Sequence, residues 1–124
     1  MQSADAILAF EALSSPTRLA LFRLLVRHAP DGLVAGELAT ALGISATNLS
    51  FHLKALSHAG LATASAEGRF LRYRAQLERM NAVVAFLTEE CCQGRPELCG
   101  MDTNKPRAAP PVSQKLAVRR GTRA

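Results

Sequence analysis

A break between two short amphipathic segments, at Gly43, constrains the fold of this chain more than any other feature. Residues 37–42 have the apolar spacing of a helix, and Gly43 can adopt the left-handed conformation that ends a helix in a tight turn. Ser45 then stands where it can cap a second helix, which is predicted to run to about His58. Small Ala39 allows the two helices to approach closely. The pattern is typical of a helix-turn-helix, whose second helix enters the major groove of DNA.

A glycine-containing turn follows the second helix. Residues 61–66 and 69–74 flank Glu67-Gly68, which is a signal for a two-residue β-hairpin. The second strand carries several arginines and therefore forms a basic arm. A helix-turn-helix followed by such a hairpin is a winged helix, so the predicted fold class is mainly α with a small β-hairpin.

Further helices are predicted on both sides of this motif. Apolar residues at helical spacing mark a first helix over residues 6–13, and Ser15-Pro16 provides the cap and first turn of the next. A last helix is predicted over residues 76–91, from an apolar stripe that begins at Leu77 and ends at Leu87. The stripes of the first and last helices both need cover, which a two-fold partner would provide. We therefore predict a homodimer built through the first and last helices.

The charge of the chain changes after the predicted last helix. The formal net charge is +5, but residues 1–90 hold equal numbers of acidic and basic side chains, so the whole excess lies in residues 91–124. The basic pI is therefore weak evidence that the folded part binds DNA. We predict a winged helix-turn-helix DNA-binding and dimerisation domain at residues 1–92, an inducer-binding loop at 93–102, and a disordered basic tail at 103–124.

The face of the second helix that points away from the core is predicted to contact DNA. Leu49, Leu53 and Leu56 face inward and leave small and polar side chains outward. Hydroxyl and amide groups can hydrogen-bond base edges, Phe51 can touch a thymine methyl, and a lysine suits phosphate. His52 is equally consistent with a reading role and with a packed, hydrogen-bonded structural role.

The hairpin supplies the remaining DNA candidates. Arg69 at the wing tip is the first candidate for a minor-groove or phosphate contact, and Arg72 and Arg74 come second because they also suit a solvated strand face. The predicted DNA-binding residues are Ser45, Ala46, Thr47, Asn48, Ser50, Phe51, His52, Lys54, Arg69 and Arg72.

All three cysteines lie within nine residues, at Cys91, Cys92 and Cys99. Soft thiolates select soft ions, and three sulfurs suit the pyramidal coordination of arsenic(III) or antimony(III). A zinc site would require a fourth ligand, and every histidine lies in the other half of the sequence. Acidic neighbours disfavour the thiolate that a redox-sensing cysteine needs. The alternatives are cadmium or another thiophilic metal, a thiol redox state, and cysteines without a role.

Five motifs follow one another within residues 5–92, namely Ser15-Pro16-Thr17-Arg18-Leu19, Glu37-Leu38-Ala39, Ser50-Phe51-His52-Leu53-Lys54 with Leu56, Gly60-Leu61 and Glu67-Gly68-Arg69. Together they resemble the motifs of the ArsR/SmtB family of metal-responsive repressors. The resemblance implies a homodimeric winged-helix repressor that leaves its double-stranded operator DNA when an inducer binds. Two site patterns of the family are absent, because the helix before the turn has no cysteine and the last helix lacks the Asp/His ligand set. What remains is similar to the arsenite site of a subgroup of arsenic repressors.

The sequence does not indicate an enzyme. It lacks a Cys-x-x-Cys motif beside a βαβ pattern, a phosphate-cradling loop and a Ser/His/Asp set, so no catalytic residue and no catalytic cofactor is predicted. A structural, chromatin-like DNA binder with an inert tail is the rival from another class. There is no run of about 18 apolar residues, and the first residues lack the basic region of a signal peptide. We therefore expect a cytoplasmic protein without a membrane partner.

Overall fold

Residues 1–98 are described by a computed structural model, which divides into a compact unit at Met1–Glu89 and a second unit that begins at Glu90. The described residues end at Leu98. They therefore include residues 93–98 of the predicted inducer-binding loop but not Cys99, residues 100–102 or the predicted tail at 103–124. The first unit contains five α-helices and a three-stranded sheet. In chain order its elements are α1 (Ser3–Leu13), α2 (Pro16–Arg27), β1 (Leu33–Val34), α3 (Ala35–Leu42), α4 (Ala46–His58), β2 (Ala62–Glu67), β3 (Phe70–Ala75) and α5 (Leu77–Thr88).

The turn between α3 and α4 forms as the sequence predicts. Gly43 follows α3 with a φ of 66°, in the left-handed region that favours glycine. Ser45 caps α4, and its hydroxyl accepts a hydrogen bond of 3.1 Å from the backbone N–H of Asn48. Ser15 caps α2 in the same way, with Pro16 in the first turn. The predicted helix-turn-helix is therefore confirmed.

The sheet is antiparallel, with the strand order β1-β3-β2. Glu67 pairs with Phe70, so the two turn residues are Gly68 and Arg69, one position later than the sequence predicts. The first strand, β1, is not predicted by the sequence. It pairs with the middle of β3, and Gly32 before it approaches that strand so closely that a β-carbon would overlap the Tyr73 carbonyl oxygen. The short strand therefore attaches the wing to the start of the helix-turn-helix.

The core of the unit is built mainly from leucines and lies between α2, α3, α4 and the start of β2. The inward face of α4 is as predicted, with Leu49, Leu53 and Leu56 all buried. Among residues 1–98, no helix has the length and apolarity needed to cross a lipid bilayer. The largest fully buried side chains are Leu21, Leu25, Leu38, Leu49, Leu56 and Leu61.

The first helix packs on the domain through three buried alanines and two partly buried leucines, Leu8 and Leu13. Its buried residues are Ala6, Ala9 and Ala12, whereas Ile7 and Phe10 of the predicted apolar stripe are exposed. Contacts join α1 to α5, on which Val84 and Leu87 are exposed as well. Large apolar side chains thus remain on the surfaces of two helices that touch each other.

The last helix is shorter than predicted. It ends at Thr88 rather than at Cys91, and the chain then forms a 3-10 turn at Cys91–Gln93 and another at Pro96–Leu98. Three consecutive residues of this segment have left-handed φ values, namely Cys92, Gln93 and Gly94. The cysteine pair therefore belongs to a separate turn and does not continue the α-helix.

Candidate DNA-binding surface and cysteine pair

The outward face of α4 carries the side chains that the sequence assigns to DNA contact. Ala46, Thr47, Ser50, Phe51 and Lys54 are all exposed and together line a shallow groove. Phe51 is 67% exposed in the middle of the helix, so its ring takes almost no part in the core. These five side chains combine hydroxyl groups, an apolar ring and one cation on a surface about two helical turns long.

The N-terminal end of α4 adds backbone groups to this surface. The first N–H groups of a helix have no partner within it and favour an anion, as a phosphate group of DNA would be. Ser45 satisfies the N–H of Asn48, so its hydroxyl oxygen acts as a cap, while the Asn48 side chain is exposed. We assign Ser45 to the structure of the helix end and Asn48 to the exposed surface.

His52 lies at the edge of the reading face. Its side chain is half-buried, and its Nδ1 atom is buried without a hydrogen-bond partner among the described residues. The imidazole is therefore turned partly into the protein, as the structural alternative expects. The hydrogen bond that this alternative also expects at Nδ1 is not formed.

The three arginines of the wing differ in their contacts. Arg69, in the turn between β2 and β3, is exposed and forms no ion pair or hydrogen bond with the other described side chains. Arg72 instead donates through Nε to both carboxylate oxygens of Glu67, at 2.9 and 3.0 Å. Arg74 donates to the Ser65 hydroxyl at 2.7 Å. The structure thus presents Arg69 to a partner and engages Arg72, the other predicted wing contact, within the protein.

Two residues near the wing tip were not predicted to have a role. Glu67 serves in the sequence only as a turn signal, yet it binds the two arginines of β3. The alternation of side chains along the hairpin could have indicated this, because residues 65 and 67 share a face with residues 72 and 74. Phe70 is 63% exposed, and nothing in the sequence pattern assigns it a function.

The cysteine pair brings two sulfurs together. The Sγ atoms of Cys91 and Cys92 lie 3.8 Å apart, and both side chains are half-buried. Neighbouring side chains on an ideal α-helix diverge by about 100°. The left-handed conformation of Cys92, with a φ of 53°, replaces that helical geometry and accompanies the approach of the two sulfurs.

The separation of the two sulfurs suits one shared ion. Two sulfurs bound at about 2.3 Å to a tetrahedral ion would be about 3.8 Å apart, and a narrower pyramidal angle would need only a small further approach. Within residues 1–98, no group of three or more metal-binding side chains is assembled. The third predicted sulfur, that of Cys99, lies outside the described residues, so the structure unites two of the three predicted ligands.

Electrostatics around the pair are mixed. Arg95, the nearest cation in sequence, forms an exposed ion pair of 3.6 Å with Glu97, so part of its charge is already compensated. The two carboxylates at residues 89 and 90 directly precede the pair.

Comparisons with known proteins agree with the geometry. Residues 13–63 match a family model described as a helix-turn-helix domain. The HTH-type transcriptional regulator CmtR of Mycobacterium tuberculosis is 37% identical over 89 residues, which span 65% of this chain and 73% of that protein.

Solved structures give the same result. An ArsR-like transcriptional regulator from Rhodococcus sp. RHA1 superposes with a TM-score of 0.65 at 31% identity, over 79% of this chain and 90% of that one. The homodimeric winged helix-turn-helix DNA-binding domain of a Mycobacterium bovis protein superposes with a TM-score of 0.56 at 29% identity, over 70% of this chain and 81% of that one.

Proposed function

The chain belongs to the ArsR family of winged helix-turn-helix transcriptional regulators, and we propose that it is a homodimeric repressor released from its operator by arsenic(III) or antimony(III). As a DNA-binding regulator of this family it is not an enzyme. The observation that carries the choice of inducer is the approach of the Cys91 and Cys92 sulfurs to 3.8 Å. Separate observations support operator binding, dimerisation and the choice of inducer.

Operator binding is supported by the composition of the α4 face. Thr47, Asn48 and Ser50 supply hydrogen-bonding groups near the helix N-terminus, which is the part of a recognition helix that reaches base edges. Lys54 and Arg69 supply positive charge that can pair with phosphate. Because the folded domain has no net positive charge, these few groups carry most of the attraction to DNA.

Dimerisation is supported by exposed apolar side chains on the touching helices α1 and α5. Ile7, Phe10, Val84 and Leu87 are between 43% and 61% exposed in the single chain. Large apolar side chains exposed on two touching helices favour burial against a partner. The homodimeric relative from Mycobacterium bovis has the same fold, and a two-fold pairing through these helices would cover all four side chains.

Metalloid binding is supported by the donor atoms. Two thiols in contact are soft ligands that favour arsenic(III) and antimony(III) over hard cations, and Cys99 is the third sulfur that pyramidal coordination requires. Neutral arsenous acid can exchange its three hydroxyls for three thiols and release three water molecules without net proton transfer. We therefore expect the affinity to depend little on pH near neutrality.

A thiophilic divalent ion such as cadmium(II) is the second candidate inducer. The observation in its favour is that 3.8 Å is close to the sulfur separation of a tetrahedral thiolate site, which is about 3.8 Å at the zinc–sulfur length and somewhat longer for the larger cadmium ion. Such a site needs a fourth ligand, which a carboxylate or a partner chain would have to supply.

The test is a fluorescence anisotropy titration of the full chain on DNA from upstream of its own gene, with and without arsenite, antimonite or cadmium. A hundredfold weakening by arsenite corresponds to about 2.7 kcal/mol of preference for the DNA-free dimer. Cys92→Ser and Cys99→Ser should bind DNA normally and fail to respond to arsenite, whereas Gln93→Ala should respond as the unaltered chain does. Release of Cys99→Ser at normal arsenite concentrations would exclude the three-thiol site, and release by cadmium alone would select the second candidate.

A further inference from the structure

Glu67, at the end of β2, binds two arginine side chains of the wing, Arg72 and Arg74. Both of its carboxylate oxygens accept hydrogen bonds from Arg72 Nε, at 2.9 and 3.0 Å. Arg72 also donates through Nη1 to the backbone carbonyl of Gly32, at 3.2 Å. Its guanidinium is thus held from two sides, by the wing itself and by the loop before β1.

Arg74 is drawn into the same group. Its Nη1 donates to the Ser65 hydroxyl at 2.7 Å, and its Nη2 lies 3.7 Å from the Glu67 carboxylate. The side chains of Arg72 and Arg74 are only 27% and 38% exposed, although both stand on the small surface sheet. Asp31 lines the same polar hollow and adds a second negative charge nearby.

Arg69 provides the contrast within the same hairpin. It lies two residues beyond Glu67 in the turn, is exposed, and has no partner among the described side chains. The wing therefore holds three arginines, of which two are compensated by a carboxylate and one is open to an external anion.

We propose that Glu67 restrains the affinity of this protein for DNA by holding Arg72 and Arg74 on the wing, so that Arg69 alone of the three contacts phosphate. The inference rests on the proposed DNA binding of the chain but not on the identity of the inducer. With Nε on Glu67 and Nη1 on the Gly32 carbonyl, a phosphate that binds Arg72 must either displace these partners or lie close to the Glu67 carboxylate, and each makes the contact less favourable.

The restraint has a measurable signature in salt dependence. Each additional phosphate contact steepens the plot of log K against log salt concentration by about 0.9. The proposed dimer has two wings, so release of both arginines on each wing would add up to about 3.6 to the slope and would raise affinity most at low salt. Because phosphate contacts are independent of sequence, the gain would appear on operator and on random duplex alike.

The restraint also bears on release. A ligand can shift DNA binding only by its differential affinity for the bound and unbound states, so a tighter complex needs more inducer to reach the same free fraction. A wing that used all three arginines would bind the operator with higher affinity both with and without inducer. Glu67 keeps the affinity within the range that an inducer can overcome.

The experiment compares Glu67→Gln with Glu78→Gln in the full chain, by anisotropy on a random duplex over a series of salt concentrations. Glu78 is an exposed carboxylate on α5 without an arginine partner, so its replacement removes the same charge and releases no guanidinium. Glu67→Gln should bind more tightly with a slope steeper by about 2 to 4, since both wings of the dimer change. In the Glu67→Gln background, Arg72→Gln should return the slope towards that of the unaltered chain.

Three results would overturn the proposal. One is equal affinity and slope for Glu67→Gln and the unaltered chain, with circular dichroism showing both folded. Another is an equal gain for Glu78→Gln, which would reduce the effect to net charge. The third is a gain in Glu67→Gln that survives Arg72→Gln combined with Arg74→Gln. Failure of the unaltered chain to bind any duplex would instead refute DNA binding itself, which separates the two hypotheses.

Discussion

Replacement of Phe51 by alanine should remove the ability of the protein to detect a thymine methyl group. The ring is 67% exposed at the centre of the α4 face, so it stabilises the monomer little and its removal should change the free energy of unfolding by less than about 0.5 kcal/mol. In the major groove the same ring can pack against the C5 methyl of thymine, which is the apolar feature of that groove. Phe51 would then act in recognition rather than in folding.

The size of the effect follows from the burial of one methyl group. A buried methylene-sized group contributes about 0.8 kcal/mol, which is about fourfold in affinity. A homodimer reads two half-sites, so the loss of both thymine methyls should cost about 1.6 kcal/mol, or about fifteenfold. Thymine can be replaced by uracil in synthetic duplexes, which deletes the methyl and leaves base pairing intact.

The assay is a scan in which symmetric thymine pairs of the upstream DNA are replaced by uracil and binding is measured by anisotropy. The unaltered chain should show the penalty at one symmetric pair of positions, and Phe51→Ala should show no penalty there. Phe70→Ala is a matched control, because Phe70 is a similarly exposed phenylalanine that lies outside α4. An undiminished uracil penalty in Phe51→Ala would refute the reasoning, as would a penalty that also disappears in Phe70→Ala.

Three further predictions concern stability, assembly and charge. Gly32→Ala should destabilise the fold by more than about 2 kcal/mol in thermal or urea unfolding, because a β-carbon there meets the backbone of β3 and the φ of Gly32 is positive. The control is Gly36→Ala, which lies in open space on α3 and should leave the stability equal or higher. Leu87→Glu should weaken dimerisation at least about tenfold, because it would bury an unpaired carboxylate, and analytical ultracentrifugation would measure the change. Ala85→Glu, on the opposite side of α5, should leave the dimerisation constant unchanged. Arg69→Ala should reduce the slope of log K against log salt by about 1.8 on any duplex, because the dimer loses one contact on each wing, and an unchanged slope would remove the wing tip from the interface.

The helix-turn-helix is predictable because its signals are local. Gly43, the cap at Ser45 and the leucine spacing of α4 each act within a few residues, and the structure reproduces all three. The outward face of α4 follows from the same spacing, since whatever does not face the leucine core must face solvent. Local sequence patterns therefore predict the DNA-reading surface as well as the helices that carry it.

Features that depend on pairing over long sequence distances are not predictable in this way. The strand β1 has only two residues and exists because β3 lies beside it, forty residues later in the chain. The binding of Arg72 by Glu67 and by the Gly32 carbonyl depends on the register of the hairpin, which differs by one residue from the predicted turn. The end of α5 at Thr88 is not predictable for a different, local reason, because no glycine or proline marks it.

The outward face of α1 would make the stability of this helix depend on protein concentration in the proposed dimer. Ala6, Ala9 and Ala12 are buried and Leu8 and Leu13 are partly buried on its own domain, whereas Ile7 and Phe10 would be buried only against a partner. Part of the stability of α1 would then be bimolecular, and hydrogen exchange from its amides should slow as the chain is concentrated. On dilution of such a protein, α1 would unfold before the DNA-reading helix α4.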